Sequence, residues 1–272
     1  MTATTTTPTK RHKGNAMPAR NVKALAFSCA HSPFTPRRHM DFLLSRVADF
    51  KPDIILNLGD LLESCGGSVH DNEYEHDQRD EYEFAADFLK RIRETAQPDC
   101  KLVWLLGNHD DNLQAPDKRR VPPQLRSLVH WNNSEWRDEF LRWEQIRYEN
   151  SERGTYHVGQ LVFYHGYTSG KISDRKEAML FNRMTGFHAH RCFVRGHTHR
   201  PVPVTQVDAA KFDELPWWYA NVGTMGPLKP TWTQRLDTSH WWPATFEAEC
   251  KEGRLSRIHG KNWDAQVVTM PR

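Results

Sequence analysis

Five apolar runs of strand length, each stopping at a polar residue able to hold a metal, constrain this chain more than any other feature. VKALAFS, 22–28, leads into Cys29-Ala30-His31. IILNLGD, 54–60, ends at Asp60, and KLVWLLGNHD, 101–110, ends at Asn108-His109-Asp110. TYHVGQLVFYHG, 155–166, reads as a hairpin with a Gly-Gln turn and delivers His165. CFVRGHTH, 192–199, delivers His197 and His199. Between the first three runs lie helical periods: apolar residues at 40, 43, 44, 47 and 50 within 37–50, and Phe84, Phe88, Leu89 and Ile92 within about 80–96. Alternating strands and helices imply a parallel sheet with crossovers. In such a sheet the loops after the carboxyl ends of the strands converge on one crevice, so these five ends are expected to meet.

A carboxylate, several imidazoles and an amide form a ligand set for borderline transition metals. A carboxylate such as Asp60 can bridge two ions. Two ions roughly 3.5–4 Å apart can clamp an in-line phosphoryl displacement and lower the pKa of the attacking water. Gly59, Gly107 and Gly196 precede these ligands and suit tight turns.

Gly59-Asp60, Gly107-Asn108-His109-Asp110, His165-Gly166 and Gly196-His197-Thr198-His199, in this order, resemble the motifs of the calcineurin-like metallophosphoesterase family. Asn221-Val222-Gly223-Thr224 resembles that family's later Asn-x-Gly-Ser turn, so the likeness spans about residues 22–225. The resemblance implies an α/β fold in which a two-sheet β-sandwich is flanked by helices. It also implies two divalent transition metal ions, Mn, Zn or Fe. One would be held by His31, Asp60, His199 and whatever position 29 supplies, the other by Asp60, Asn108, His165 and His197. His109 would contact the phosphate and protonate the leaving group, and Asp110 would orient His109 through its ring nitrogen.

Position 29 departs from the family pattern, which has Asp-x-His where this chain has Cys29-Ala30-His31. Three readings compete. Cys29 is a thiolate ligand, which would favour Zn or Fe over hard ions. Alternatively it is a spectator beside a weakened or mononuclear site. In the third reading the site is dead and the fold serves as a scaffold.

The resulting functional expectation is a phosphoesterase that hydrolyses a phosphate mono- or diester with metal-activated water, on a nucleotide or nucleic-acid substrate among others. A nuclease acting on DNA or RNA and an inactive scaffold are the alternatives. Arg195 and Arg200 flank the last motif and are candidate substrate-phosphate contacts, as are Tyr167 and Lys171, although a structural role is the first reading of each. Trp131, Trp136, Trp143, Trp217 and Trp218 have faces on which bases could stack, but core or interface packing is the commoner use of such residues. The remaining histidines, such as His39, His130 and His157, read as structural or surface groups.

Composition narrows the setting. A formal charge of +3 is too small to argue for nucleic-acid binding by itself. The five cysteines (Cys29, Cys65, Cys100, Cys192 and Cys250) never form a C-x-x-C pair, which favours a reducing compartment and a cytoplasmic expectation. No stretch is apolar enough to span a membrane. Residues 1–21, Thr-rich and lacking an apolar core, read as a disordered tail before a domain over 22–272. Residues 111–153 carry no strand signal and read as a helical insertion with helices near 122–129 and 134–149. The sequence is silent on substrate identity and oligomeric state.

Overall fold

The computed structural model describes residues 21–64, 77–112, 124, 126–184, 191–207, 216–230, 237–250, 261 and 263–272. Residues 1–20 of the expected tail and Cys65 lie outside the described residues.

Two sheets face each other. The first runs β11 (Trp263–Thr269), β10 (Ala244–Cys250), β1 (Val22–Phe27), β2 (Ile54–Asn57), β3 (Lys101–Leu105) and β4 (Glu144–Ile146). The second runs β5 (Tyr156–Val158), β6 (Leu161–Tyr164), β7 (Cys192–Arg195), β9 (Trp217–Val222) and β8 (Pro201–Val207). Strands β1 to β4 are mutually parallel, as are β6, β7 and β9. Antiparallel β10, β11, β5 and β8 complete the two sheets.

The period of two in each strand builds three layers of core. Ala24, Ala26, Leu56 and Val103 point between the sheets, where they meet Leu161, Phe163, Val194 and Ala220. Their neighbours Leu25, Phe27, Ile55 and Trp104 point outward, under α1 (Arg37–Phe50) and α2 (Gln78–Thr95). On the other side Val162, Tyr164 and Phe193 pack under α6 (Ser173–Met184). The molecule is therefore a two-sheet sandwich flanked by helices. Burial on both faces explains why the strands read as unbroken apolar runs.

Helix α1 follows the expected bounds and buries Met40, Leu43 and Val47 along one stripe. It stops at Lys51, whose φ of 51° is left-handed, one residue before Pro52. Helix α2 begins at Asp77, whose carboxylate accepts from the Arg79 amide at 2.9 Å.

The expected helix over 134–149 is a correction. Residues there form a single-turn α5 (Arg137–Phe140) and then strand β4; of the helix expected near 122–129, the described part is α4 (Arg126–Val129), followed by a 3₁₀ turn at Trp131–Asn133, and the polar end of the third run is a short helix, α3 (Asn108–Asp111). The exposed edge of β3 explains the strand. It carries unpaired backbone groups, and Leu106 N–H finds its acceptor in Ile146 O at 2.8 Å. Phe140 and Trp143 are buried in the helix-side core by this path, as a continuous helix would also have allowed, so the hydrophobic pattern could not distinguish the two. No helix among the described residues is long and apolar enough to cross a membrane.

Candidate metal centre

All five expected strand ends reach one place. They follow β1, β2 and β3 in the first sheet and β6 and β7 in the second, at the carboxyl ends of parallel strands. Backbone pairing carries past the strands: Cys29 N–H donates to Gly59 O at 2.8 Å and His31 N–H to Asp60 O at 2.9 Å. The chain then turns sharply. Cys29, His31, Asp60, His197 and His199 all have left-handed φ, between 51° and 66°. Such conformations are costly for residues with a Cβ and gather where the surrounding fold enforces a functional geometry. In the last motif the turn lets His197 and His199, two residues apart, serve one pocket.

Close approach depends on glycine at two positions. A Cβ on Gly59 would stand 2.6 Å from Gly107 N and His165 Nδ1, and one on Gly107 would collide with Asp60 Oδ1. The loops after β2 and β3 touch because neither residue has a side chain.

The ligand atoms of Cys29, His31, Asp60 and His199 lie within 4.8 Å of one another, as do those of Asp60, His165 and His197. Asp60 belongs to both groups. Asn108 joins the second, its Oδ1 3.1 Å from His165 Nε2. Cys29 Sγ is thus inside the cluster rather than turned away, with Ser28 Oγ at 3.1 Å. Burial and the Asp60 charge push its thiol well up, so Cys29 keeps its proton unless a cation replaces it.

The donor set suits a cation. His165 Nδ1 sits 2.6 Å from Leu58 O and must donate to it. Its Nε2 then faces Asp60 Oδ2 at 3.1 Å and Asn108 Oδ1 at 3.1 Å, both acceptors. Only a proton or a metal ion between them makes that convergence favourable. On the other side His31 Nδ1 lies 2.6 Å from Glu63 Oε2, which leaves Nε2 turned toward His199 Nε2 at 3.0 Å. His199 Nδ1 is buried without a hydrogen-bond partner. Burial and the neighbouring His31 hold His199 well below the usual imidazole range, and burial with His165 holds His197 at about 3. Neutral imidazoles are the ligand form. Burial alone would raise Asp60, but His165, His109 and His31 outweigh it and hold the carboxylate ionised.

His109 stands beside this cluster. Its amide donates to Asp60 Oδ1 at 2.9 Å, and its Nδ1 donates to Glu63 O at 3.0 Å with Glu63 Oε1 at 3.6 Å. Burial lowers its proton affinity, yet Glu63 and Asp60 overcome this and raise it to about 9.

Asp110 does not orient His109, which corrects the role expected for it. Its carboxylate accepts from Leu62 N–H at 2.9 Å, Gly107 N–H at 2.9 Å and Trp104 Nε1–H at 3.2 Å, tying the loops after β2 and β3 together. The reason is helical: residues 108–111 form one turn, and neighbours on a helix point about 100° apart. Glu63 anchors His31 and His109 instead. Its place four residues after Gly59 carried no periodic signal, because the contact arises only once the strand-end loops have curled together.

Arg195 is also corrected. It is wholly buried, 3.0 Å from Glu177 Oε2 and 3.6 Å from Asp174 Oδ1, and donates to Thr168 O. It is closed to a substrate. Arg200 is partly exposed, 3.8 Å from Asp174 and donating to Gly170 O. Tyr167 gives its hydroxyl to Glu149 O. Trp131, Trp143 and Trp217 are buried core residues. Trp136 and Trp218 also pack against cores away from the centre.

No family model matches the chain, and no curated protein matches it. Solved structures do. A single mutant of Vps29 from Entamoeba histolytica is 12% identical, with 92% of this chain and 99% of that chain covered and a TM-score of 0.40. YfcE, a phosphoesterase from E. coli, is 13% identical over 84% of this chain and 91% of its own, with a TM-score of 0.42. A cold-active protein-tyrosine phosphatase of a Shewanella species is 12% identical over 92% of this chain and 82% of its own, again at 0.42. In the order of its motifs and in its two helix-flanked sheets, the chain resembles the calcineurin-like metallophosphoesterases.

Proposed function

We propose that this chain is a metal-dependent phosphoesterase that hydrolyses a phosphate mono- or diester. The observation that carries the reading is the sharing of Asp60 between two groups of ligand atoms, one including Cys29, His31 and His199, the other His165 and His197. Asp60 would bridge two ions, with Asn108 completing the second set. Bound there, the ions would supply an activated water and neutralise charge on the phosphoryl oxygens. Mn, Zn and Fe fit the nitrogen and oxygen donors, and Zn or Fe fits best with a Cys29 thiolate.

The chain's own residues do the rest. His109 holds a proton on the ring, with Nδ1 fixed by Glu63 O, and presents Nε2 to the leaving oxygen. Glu63 fixes His31 as a ligand by accepting from Nδ1, and lies beside His109 at the same time. Arg200 is the arginine left to meet a substrate oxyanion. A mildly basic, cytoplasmic protein acting on a nucleotide or on nucleic-acid ends is consistent with this chemistry.

Elemental analysis of the purified protein, with phosphatase, phosphodiesterase and nuclease assays in Mn²⁺, Zn²⁺ and Fe²⁺, tests the proposal. Turnover that disappears in Asp60→Asn and falls steeply in His109→Ala is the expected result. Turnover indifferent to both substitutions rejects it. A chain that binds no transition metal and is not rescued by added metal is a scaffold.

A further inference from the structure

We infer that the esterified group of the substrate carries an aromatic ring, as a nucleotide does, and that Trp241 is the residue that receives it. This rests on the phosphoesterase reading above and names its substrate class. Trp241 is neither part of a described core cluster nor fully exposed: it is half-buried, and its ring centroid stands 4.1 Å from that of His199, with the planes 73° apart. An indole is thereby set one ring away from an atom of the metal-binding cluster, with part of its surface open to solvent.

The segment that carries it is nailed down on both sides. Trp242 N–H donates to His199 O at 3.2 Å, and Thr224 N–H donates to Trp242 O at 3.2 Å. Trp242 Nε1–H donates to Met270 O at 2.8 Å, and Gly223 forms a β-bridge with Pro243. Trp241 N–H is itself held by Thr238 O at 2.9 Å. Trp136 and Trp218 are also half-buried, but they pack against described cores, whereas Trp241 stands against a histidine of the cluster. Holding an indole half-open beside the centre instead prepares a surface whose ordering cost is met before any ligand arrives. Every base has a π-face, so an indole accepts a ring with little regard to base identity.

The experiment compares ligands that differ only by a base. AMP against ribose 5-phosphate covers monoesters, and 3′,5′-cyclic AMP against base-free cyclic ribose phosphate covers diesters. Binding is measured by calorimetry on metal-loaded protein carrying His109→Ala, which keeps ligands intact, with Trp241 present, replaced by Ala and replaced by Phe. We expect the base to tighten binding about tenfold or more in at least one pair, Trp241→Ala to abolish that difference, and Trp241→Phe to keep most of it. Absence of a base effect in both pairs, or a base effect that survives Trp241→Ala, overturns the inference. So does tight, steeply salt-dependent capture of an oligonucleotide without any mononucleotide discrimination, which would mark a polymer-binding surface. Failure of the phosphoesterase reading is separable: the wild-type protein would then hydrolyse no ester, while the binding comparison still decides the role of Trp241.

Discussion

The two halves of the centre share Asp60 and differ in almost everything else. The half built from Cys29, His31 and His199 is sealed, with all three residues buried, and it includes the one sulfur. The half built from Asn108, His165 and His197 uses only nitrogen and oxygen, and Asn108 and His197 keep some exposure. The first half is chemically soft and its three residues are buried, while the second keeps a partial opening at Asn108 and His197. Under the proposed function, the first half is expected to retain its metal longer and the second to exchange its metal first.

Breaking the residue common to both should have the largest effect. Asp60→Asn is expected to lower ester hydrolysis by on the order of a hundredfold or more and to reduce metal content at both positions, measured by steady-state assay and elemental analysis. Separating the halves comes next. Cys29→Ala and His165→Ala should each lose about one equivalent of metal while retaining the other. Cobalt-loaded protein should show a sulfur-to-metal absorption band that Cys29→Ala removes and His165→Ala leaves. Cys29→Asp should keep both ions and shift preference toward Mn²⁺ or Mg²⁺. Identical spectra and metal preference in wild type and the Cys29 variants would show that the halves do not differ as described.

Glu63→Gln acts on the first half through His31 and on the proposed proton donor, His109. A loss of about 10- to 100-fold in metal affinity or activity is expected, detectable by competition with a chelator. The smallest effect concerns support for the first half. His39 is buried with Nδ1 3.1 Å from Met225 O and Gly226 O, and those residues in turn donate to Ser28 O and Cys29 O. Burial lowers its pKa below the ordinary 6.5, with Arg38 adding to the shift. The unfolded chain therefore takes up this proton first as the pH falls. The contribution of His39 is present above about 6.5 and is lost as the pH drops from there toward the lowered native value. Urea midpoints for wild type should fall between pH 7.5 and pH 5.5, and His39→Gln should flatten that dependence.

Much of this was legible before any fold was drawn. Runs such as IILNLGD and KLVWLLGNHD announce strands buried on both faces, and their polar endings mark the crevice. Local pattern suffices there because every buried position in a parallel strand must be apolar. It fails where a residue answers to a distant partner. β4 formed because β3 had an open edge, not because residues 144–146 prefer a strand. Arg195 was drawn inward by Asp174 and Glu177, and Asp110 was turned from His109 by a single helical turn.

Sequence alone determined which residues stand at the strand ends, since apolar period and the polar stops are written in consecutive positions. Tertiary structure alone decided how they face one another: the left-handed turns at Cys29, His31, Asp60, His197 and His199, the reach of Glu63 to two histidines, and the seat of Trp241 against His199. These depend on loops from two sheets closing against each other, and no neighbour in the chain specifies the approach of groups more than a hundred residues away.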